Sequence, residues 1–288
     1  MSDINRTSIA LPAAVSNEIM AKTVEGSTIM QLARQVALPG RGLSIPVIVS
    51  DPVAEWVGET ANKPVSNAVL STKVLRPYKI AVIETVSKEF ARDAAALYEE
   101  LIRRLPSALA KVFDATVIGK TAVPGTDFDA LGSVAGVNLN DATLKAYGAL
   151  VSADTAIGTA GYTANGIAVA PAGKGILLSA TDTTGRPIFN PVSDDGLGTI
   201  LGQKVVVGSG VDDSANDVVG IMGDWTKAVY GTVNNVEVSF SEDATLTVGS
   251  GDSAQTLSMF QQNMIAVRAE IEVGFRADTA AFKLLKKA

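Results

Sequence analysis

Residues 87–120 read SKEFARDAAALYEELIRRLPSALAKVFDATVIGK, and this stretch decides the fold. Leu97, Leu101, Leu105 and Leu109 recur every four residues, and Ile102, Val112, Phe113 and Val117 widen the same stripe. That spacing predicts an amphipathic helix with one face in a core. Ser87 reads as the N-cap of a first turn and Asp93 as a candidate cap for the main helix. Gly119 reads as the stop, and Pro106 predicts a kink within. A helix of about 25 residues is about 38 Å long. That is longer than a compact core of this size requires.

Upstream, Ile45 to Ser87 reads as β structure. IPVIV is a short strand, and VLSTKVL and YKIAVIETV are rich in β-branched residues. Between them AEWVGETANKPVS (54–66) places Trp56 between Glu55 and Glu59 on a polar, turn-rich segment. Pro77 in the second arm suits an edge or a bend. The segment reads as a hairpin-like excursion of about 40 residues, too long for a two-stranded ribbon to be stable alone in water. Residues 1–44 read as an arm. Ile19, Met20, Val24, Ile29, Leu32 and Val36 give a helical period broken at Gly26 and Ser27.

Downstream, residues 121–222 read as a mixed α/β lobe. Helices begin near Leu144 and Ala172, and GIAVA and KVVVG are short buried strands. In the last part KAVYGTV and EVSF are strands, followed by a Ser/Asp/Gly loop (241–253). MFQQNMIAVRAEIEVGFRA then runs from Met259 to Ala277 as one long half-buried strand. Ile265, Val267, Ala269, Ile271 and Val273 lie on one face, and Arg268, Glu270 and Glu272 on the other. The tail AAFKLLKKA reads as a solvated terminus with Lys283, Lys286 and Lys287.

Composition argues against catalysis. The 288 residues include no Cys and no His. Thiol nucleophiles, Cys-ligated metals and Ser-His-Asp triads are therefore excluded. Net charge is −6, which disfavours a broad nucleic-acid surface. No run approaches the roughly 18 apolar residues of a membrane span, and MSDINRTSIALPAAV is not a secretory signal. PAGKG (171–175) lacks the upstream glycine of a phosphate loop. Asp212, Asp213, Asn216 and Asp217 lack the order of a calcium loop. These groups, and the pairs Asp127/Asp129 and Asp194/Asp195, read as solvated turn residues. No cofactor or metal is expected, and the chain is not expected to be an enzyme.

The order of arm, hairpin, long helix, α/β lobe and return strand resembles the HK97-fold major capsid proteins of tailed bacteriophages. LPAAVSNEI is similar to the family's arm, and LSIPV with AEWVGETANKPVSNA to the start of its extended E-loop. YKIAVIETVSKEFARDA is similar to its hairpin return and spine helix, and LLSATDTTGRPIF to an axial-domain segment. VGIMGDWTKAVYGTVNNVEVSF and FQQNMIAVRAEIEVGF are similar to its final β-ribbon.

The resemblance implies an α+β fold with five parts: N-terminal arm (1–44), E-loop (45–86), spine helix of the peripheral domain (87–122), axial domain (123–222), and peripheral-domain return strands with the C-terminus (223–288). It implies pentamers and hexamers of an icosahedral shell around packaged DNA, held non-specifically. It further implies a portal, a decoration protein in some shells, a place in the virion, assembly in the host cytoplasm, and no membrane partner. Met1 directly precedes the arm, so any scaffolding is expected to be a separate protein. Glu55, Trp56, Glu59, Lys63, Lys73 and Arg76 are the expected subunit-interface residues, with Trp56 buried on assembly or at the hairpin's base. One branch of the family forms a Lys–Asn isopeptide crosslink assisted by a Glu. Asn263 and Glu270 match the Asn and Glu positions, with Lys63 and Lys73 as loop lysines that do not align securely. Two other readings remain open at this point: an encapsulin-type compartment of the same fold, and a soluble α/β enzyme using carboxylates and Lys.

Overall fold

A computed structural model describes residues 13–48, 56–57, 70–91, 94–182, 184–189, 198–234, 236–249 and 255–287. The arm folds as helix α1 (Ala13–Gly26) and the five-residue helix α2 (Thr28–Leu32). They break at Gly26 and Ser27, as the sequence predicts, because Ser27 caps α2 and accepts from the Met30 N–H at 3.0 Å. The helical period does not extend to Val36, which lies in strand β1 (Arg34–Ala37). Strands β2 (Leu43–Ile48) and β3 (Leu70–Leu75) form the hairpin arms, and β4 (Tyr78–Ser87) follows Pro77.

The long helix is present as a short turn α3 (Lys88–Ala91) and α4 (Ala94–Val117), the latter 24 residues with Pro106 inside. Ser87 ends β4, and α3 begins at the next residue; Asp93 lies outside the described residues. Gly119 follows with φ +84°, and a Cβ there would stand 2.8 Å from the Gly132 backbone. Only glycine both adopts the left-handed turn and lets the two backbones touch. Leu101, Leu105, Leu109, Phe113 and Val117 are buried as the stripe predicts, but Val112 is exposed.

The middle of the chain gives β5 (Gly136–Asn138), α5 (Lys145–Thr159), β6 (Gly166–Val169), α6 (Pro171–Leu178), β7 (Thr199–Ile200), β8 (Gln203–Val207) and β9 (Val218–Gly223). The last part gives β10 (Ala228–Thr232), β11 (Glu237–Ser241), β12 (Thr245–Val248), β13 (Gln255–Ser258), β14 (Met264–Ala277) and β15 (Phe282–Lys286). The Ser/Asp/Gly loop therefore carries an extra hairpin, β12 against β13. The 14-residue β14 starts five residues later than the sequence run suggests. Residues 259–263 form a turn that ends on Asn263 at φ 55°.

Two sheets organise the molecule. In the five-stranded sheet β14 is the axis: β4 pairs along it on one side, while β10 and β11 pair end to end on the other, with parallel β1 outside β10. The predicted face of β14 (Ile265, Val267, Ala269, Ile271, Val273) is buried. Val267, Ala269 and Ile271 pack with Leu101, Leu105 and Leu109 of α4, and α1 adds Ile19 and Met20.

The six-stranded sheet has the order β5-β15-β9-β6-β8-β7. Its β15, second in that order and paired on both sides, corrects the reading of the tail as a solvated terminus. Phe282, Leu284 and Leu285 are buried, so the chain's end completes the α/β lobe. Leu284 and Leu285 point to opposite faces of the sheet and are buried in different clusters, while Lys283 and Lys286 stay half-buried. One cluster fuses the lobes, joining Phe113 and Val117 of α4, Tyr230 and Phe275 of the first sheet, and Ile221, Leu284 and Trp225. The Trp225 indole N–H donates to the Gly166 carbonyl at 2.8 Å, which satisfies its one polar atom in the core.

Candidate assembly surface

Among the described residues the hairpin arms β2 and β3 pair only with each other, in a register from Leu43↔Leu75 to Ile48↔Leu70. The excursion expected over residues 45–86 is thus split. β3 stays in the ribbon, while β4 leaves it and pairs with β14 over ten residues, from Ser87↔Met264 to Tyr78↔Val273. Pro77 falls at the joint, where no ladder bond needs its missing N–H.

The ribbon's root is fixed in two ways. Leu75 is buried with Leu38 and Val229, and Leu43 and Ile45 pack on that cluster. The chain also crosses β14 so closely that a Cβ at Gly274 would run into the Arg76 carbonyl oxygen. Around this crossing stands a cluster of five charges. Arg276, with its side chain 12% exposed, donates to Asp127 at 2.7 Å, to Asp129 at 2.8 Å and to the Val74 carbonyl at 2.8 Å. Arg76 pairs with Asp127 at 3.1 Å. Lys73 pairs with Asp129 at 3.4 Å and donates to the Ala277 carbonyl at 3.1 Å. The Ala277 N–H donates to Asp129 at 3.1 Å, and the Asp127 N–H donates to the Tyr78 hydroxyl at 3.3 Å.

One sequence-based assignment changes here. Asp127 and Asp129 are not solvated turn carboxylates; they clamp the ribbon to the body. Lys73 and Arg76, expected at a subunit interface, pair with these carboxylates in their own chain while 42% and 62% of their side chains stay exposed. The sequence signal for the clamp existed, three cations and a DxD motif, but lay in three distant segments.

Trp56 is fully exposed in the single chain, so the hairpin's base does not bury it. Glu55, Glu59 and Lys63 lie outside the described residues. Asn263 is exposed at the turn before β14, where its carbonyl accepts from the Lys88 N–H at 2.9 Å. Glu270 lies mid-strand, 3.2 Å from Arg268 and 3.8 Å from Lys79. Asn263 and Glu270 are seven positions apart on an extended chain, about 23 Å at 3.3 Å per residue. Lys73 lies at the other end of β14, beside Ala277. Within one chain these residues do not converge.

The remaining motifs resolve into local structure. Residues 171–175 are the first turns of α6, where the Lys174 N–H donates to the Ala170 carbonyl. Asp213 is buried and accepts from the Ala215 N–H and the Asn216 amide. Lys287 pairs with Asp217 at 3.4 Å. Among the described residues no group of His, Cys, Asp or Glu could hold a metal ion, and no helix is long and apolar enough to cross a membrane.

One buried carboxylate escaped the sequence reading. Asp114 of α4 is 1% exposed and accepts from Ser27 Oγ at 2.5 Å, Thr28 N at 2.9 Å, Thr28 Oγ1 at 2.7 Å and Ile29 N at 3.4 Å. It caps α2 from another element. Burial pushes its carboxyl above the usual value of 3.8, against the pull of the Ser27 and Thr28 hydrogen bonds.

A body with one fused core thus carries a two-stranded ribbon that pairs with no other strand among the described residues, and an exposed Trp56. The chain belongs to the phage capsid family, whose profile matches residues 7–287. A probable major capsid protein gp17 of Mycobacterium phage L5 is 27% identical over 283 residues, 91% of this chain and 84% of that protein. The major capsid protein of Staphylococcus phage 80alpha is 27% identical over 285 residues, 93% and 82% of the two chains. A solved structure from Mycobacterium phage Cain superposes with a TM-score of 0.71 at 21% identity, covering 91% of this chain and 90% of that one. The fold is that of these capsid proteins, and the family is one of structural proteins rather than enzymes.

Proposed function

We propose that copies of this chain close into pentamers and hexamers of an icosahedral virion shell around double-stranded DNA. The observation that carries this reading is the β2–β3 ribbon, which pairs with no other strand among the described residues. A two-stranded ribbon is marginal alone in water, so it requires a surface that the rest of the chain does not supply. A neighbouring subunit supplies it, and the many repeated contacts of a closed shell let each be modest. In this reading the five parts take the roles the resemblance implies, except that β4 belongs with the peripheral sheet and β15 with the axial lobe. Assembly in the host cytoplasm, a portal, a separate scaffolding protein and any decoration protein complete the reading.

Electron microscopy of the purified chain tests it. Closed particles of uniform diameter are expected, with particles from infected cells holding DNA. A chain that stays monomeric at every concentration and ionic strength overturns the proposal. Particles filled with protein cargo and no DNA point instead to a compartment shell.

A further inference from the structure

We propose that an open cleft, where the end of α2 and the start of β1 meet β6 and β8, holds a phosphate group of the packaged DNA between Arg34 and Lys204. This deepens the shell reading and rests on it.

The cleft measures about 450 Å³. That lies within the range for binding pockets, about 300 to 1,000 Å³. Gln31, Arg34, Asn165, Lys204 and Thr226 line it over a floor of Leu32 and Trp225. Local structure sets each of them. Helix α2 stops at Leu32 and the chain turns extended at Ala33, which brings Gln31 and Arg34 to one side. Lys204 is in register with Gly166 where β8 pairs with β6, so it stands beside Asn165. The Trp225 backbone N–H donates to the Asn165 carbonyl oxygen at 2.9 Å. A Cβ at Gly166 would stand 2.7 Å from the Trp225 ring and 2.9 Å from Leu32, so the floor closes only over glycine.

Behind the wall lies Asp224, 7% exposed. It accepts from the Asn165 amide at 3.3 Å, the Thr226 N–H at 3.1 Å and the Thr226 hydroxyl at 2.6 Å. Its charge is met inside the protein, and two lining residues are held in place before any ligand arrives.

Charge is what calls for an occupant. No Asp or Glu lines the cleft among the described residues. Arg34 and Lys204 are exposed, and neither side chain has an ion pair or hydrogen bond among the described residues. Other cations brought together by this fold are matched: Arg276 by Asp127 and Asp129, Lys79 by Glu270 and Glu272. Two unmatched cations in one cleft of a chain with net charge −6 form a site for an anion.

The lining favours a phosphodiester over an acidic side chain of another protein. None of the large apolar side chains exposed on this chain lines the cleft, whereas the core of a protein interface is apolar and aromatic. Backbone contacts to DNA need only cations and amides. The Arg34 fork can bridge two phosphate oxygens, with Lys204 as a point charge beside it. The Gln31 and Asn165 amides each spend one N–H internally, on the Glu25 carbonyl and on Asp224, and keep a second to donate. A chain that is acidic overall repels DNA, so its attraction must be concentrated at such points, and phosphate contacts carry no sequence preference.

Lysine footprinting on whole particles tests the site. DNA-filled particles, and the same particles emptied of DNA, are treated briefly with acetic anhydride in phosphate-free buffer, and each lysine's acetylation is read by mass spectrometry. Lys204 is expected to react severalfold more slowly in filled particles. Arg34→Gln is expected to remove most of that protection at unchanged particle diameter. In the unassembled chain, the Arg34→Gln/Lys204→Gln double variant is expected to weaken binding of a short DNA duplex and to flatten the slope of log affinity against log salt by about 1, the value for one phosphate.

Equal reactivity of Lys204 in filled and emptied particles, or an unchanged salt slope, overturns the proposal and leaves the shell reading standing. Slow reaction in both kinds of particle shows that a neighbouring chain covers the cleft and overturns it too. Protection by inorganic phosphate in emptied particles, without protection by DNA in filled ones, assigns the cleft to a free anion and overturns its assignment to DNA. A chain that forms no particles overturns the shell reading with it.

Discussion

Asp114 shows how much one buried side chain can set. Its carboxylate satisfies the first N–H groups of α2 and the hydroxyls of Ser27 and Thr28, none of which can reach water. Asp114→Ala leaves those donors unpaired and is expected to destabilise the unassembled chain by roughly 2–4 kcal/mol, read from urea unfolding. Asp114→Asn can turn its oxygen toward Thr28 and donate to Ser27, so it is expected to cost about 1 kcal/mol or less at neutral pH. The two variants also separate on pH. The carboxyl's folded pKa is raised above 3.8 by burial. A raised pKa adds stability that is present below the unfolded value and lost as pH rises through the folded one. Wild type is therefore expected to gain stability relative to Asp114→Asn as pH falls toward 4. A constant difference between the two across that range would show that the carboxyl keeps an ordinary pKa. Arg276 is the matching case at the ribbon's root. Arg276→Ala leaves Asp127 and Asp129 facing each other with only the more exposed Lys73 and Arg76. A loss of about 2–3 kcal/mol is expected. Arg276→Lys should recover only part of it, since an ammonium cannot bridge two carboxylates and a carbonyl as a guanidinium fork does.

At the scale of elements, β15 carries the clearest prediction. Its backbone pairs with β5 on one side and β9 on the other, and its Phe282 and Leu284 reach the cluster that fuses the lobes. Truncation after Ala281 leaves β5 without its partner and exposes the edge of β9. The truncated chain is expected in the insoluble fraction, whereas removal of Lys287 and Ala288 alone leaves solubility unchanged; a fractionation gel decides. This strand also marks where the sequence stops being legible. Long periodic elements could be read: the leucine stripe of α4 and the alternation in β14 each specify a face without reference to the rest of the chain. β15 could not, because a five-residue mix of Phe, Lys and Leu looks the same in a frayed tail and in a paired strand. β12 and β13 were hidden for a similar reason, being four residues each among Ser, Asp and Gly. The cap at Asp114 and the clamp of Arg276 join residues 85 or more positions apart. No local pattern encodes such pairings; the topology creates them. Trp56 was conspicuous in the sequence, but its exposure is a property of the folded chain.

At the scale of the whole molecule, the design separates what must be rigid from what must reach a neighbour. The two sheets share one core through α4, β14 and Trp225, so the body is a single unit. The ribbon alone depends on a clamp of five charged groups, four of them partly open to solvent. Excising residues 49–69 and closing β2 to β3 with a short turn removes Trp56 and leaves the clamp and Leu75 in place. Closing a shorter loop costs no more entropy than closing the longer one. This variant is expected to fold with a thermal midpoint within a few degrees of the unassembled wild type, and to form no particles by electron microscopy. Particles of normal diameter from it would show that the ribbon is dispensable and that the peripheral and axial lobes alone carry the shell. The crosslink question has its answer at this scale too. Lys73 is held by Asp129 and the Ala277 carbonyl at one end of β14, and Asn263 lies at the other. The strand between them is about 46 Å long at 3.3 Å per residue. Any bond between a loop lysine and Asn263 is therefore expected only between two chains. The Glu matched to the crosslinking role is tied to Arg268 and Lys79 rather than placed beside Asn263. Mature shells boiled in detergent are expected to give a single monomer band, and Lys63→Ala shells should be as heat-resistant as wild type; a covalent ladder that Lys63→Ala abolishes would reverse this conclusion.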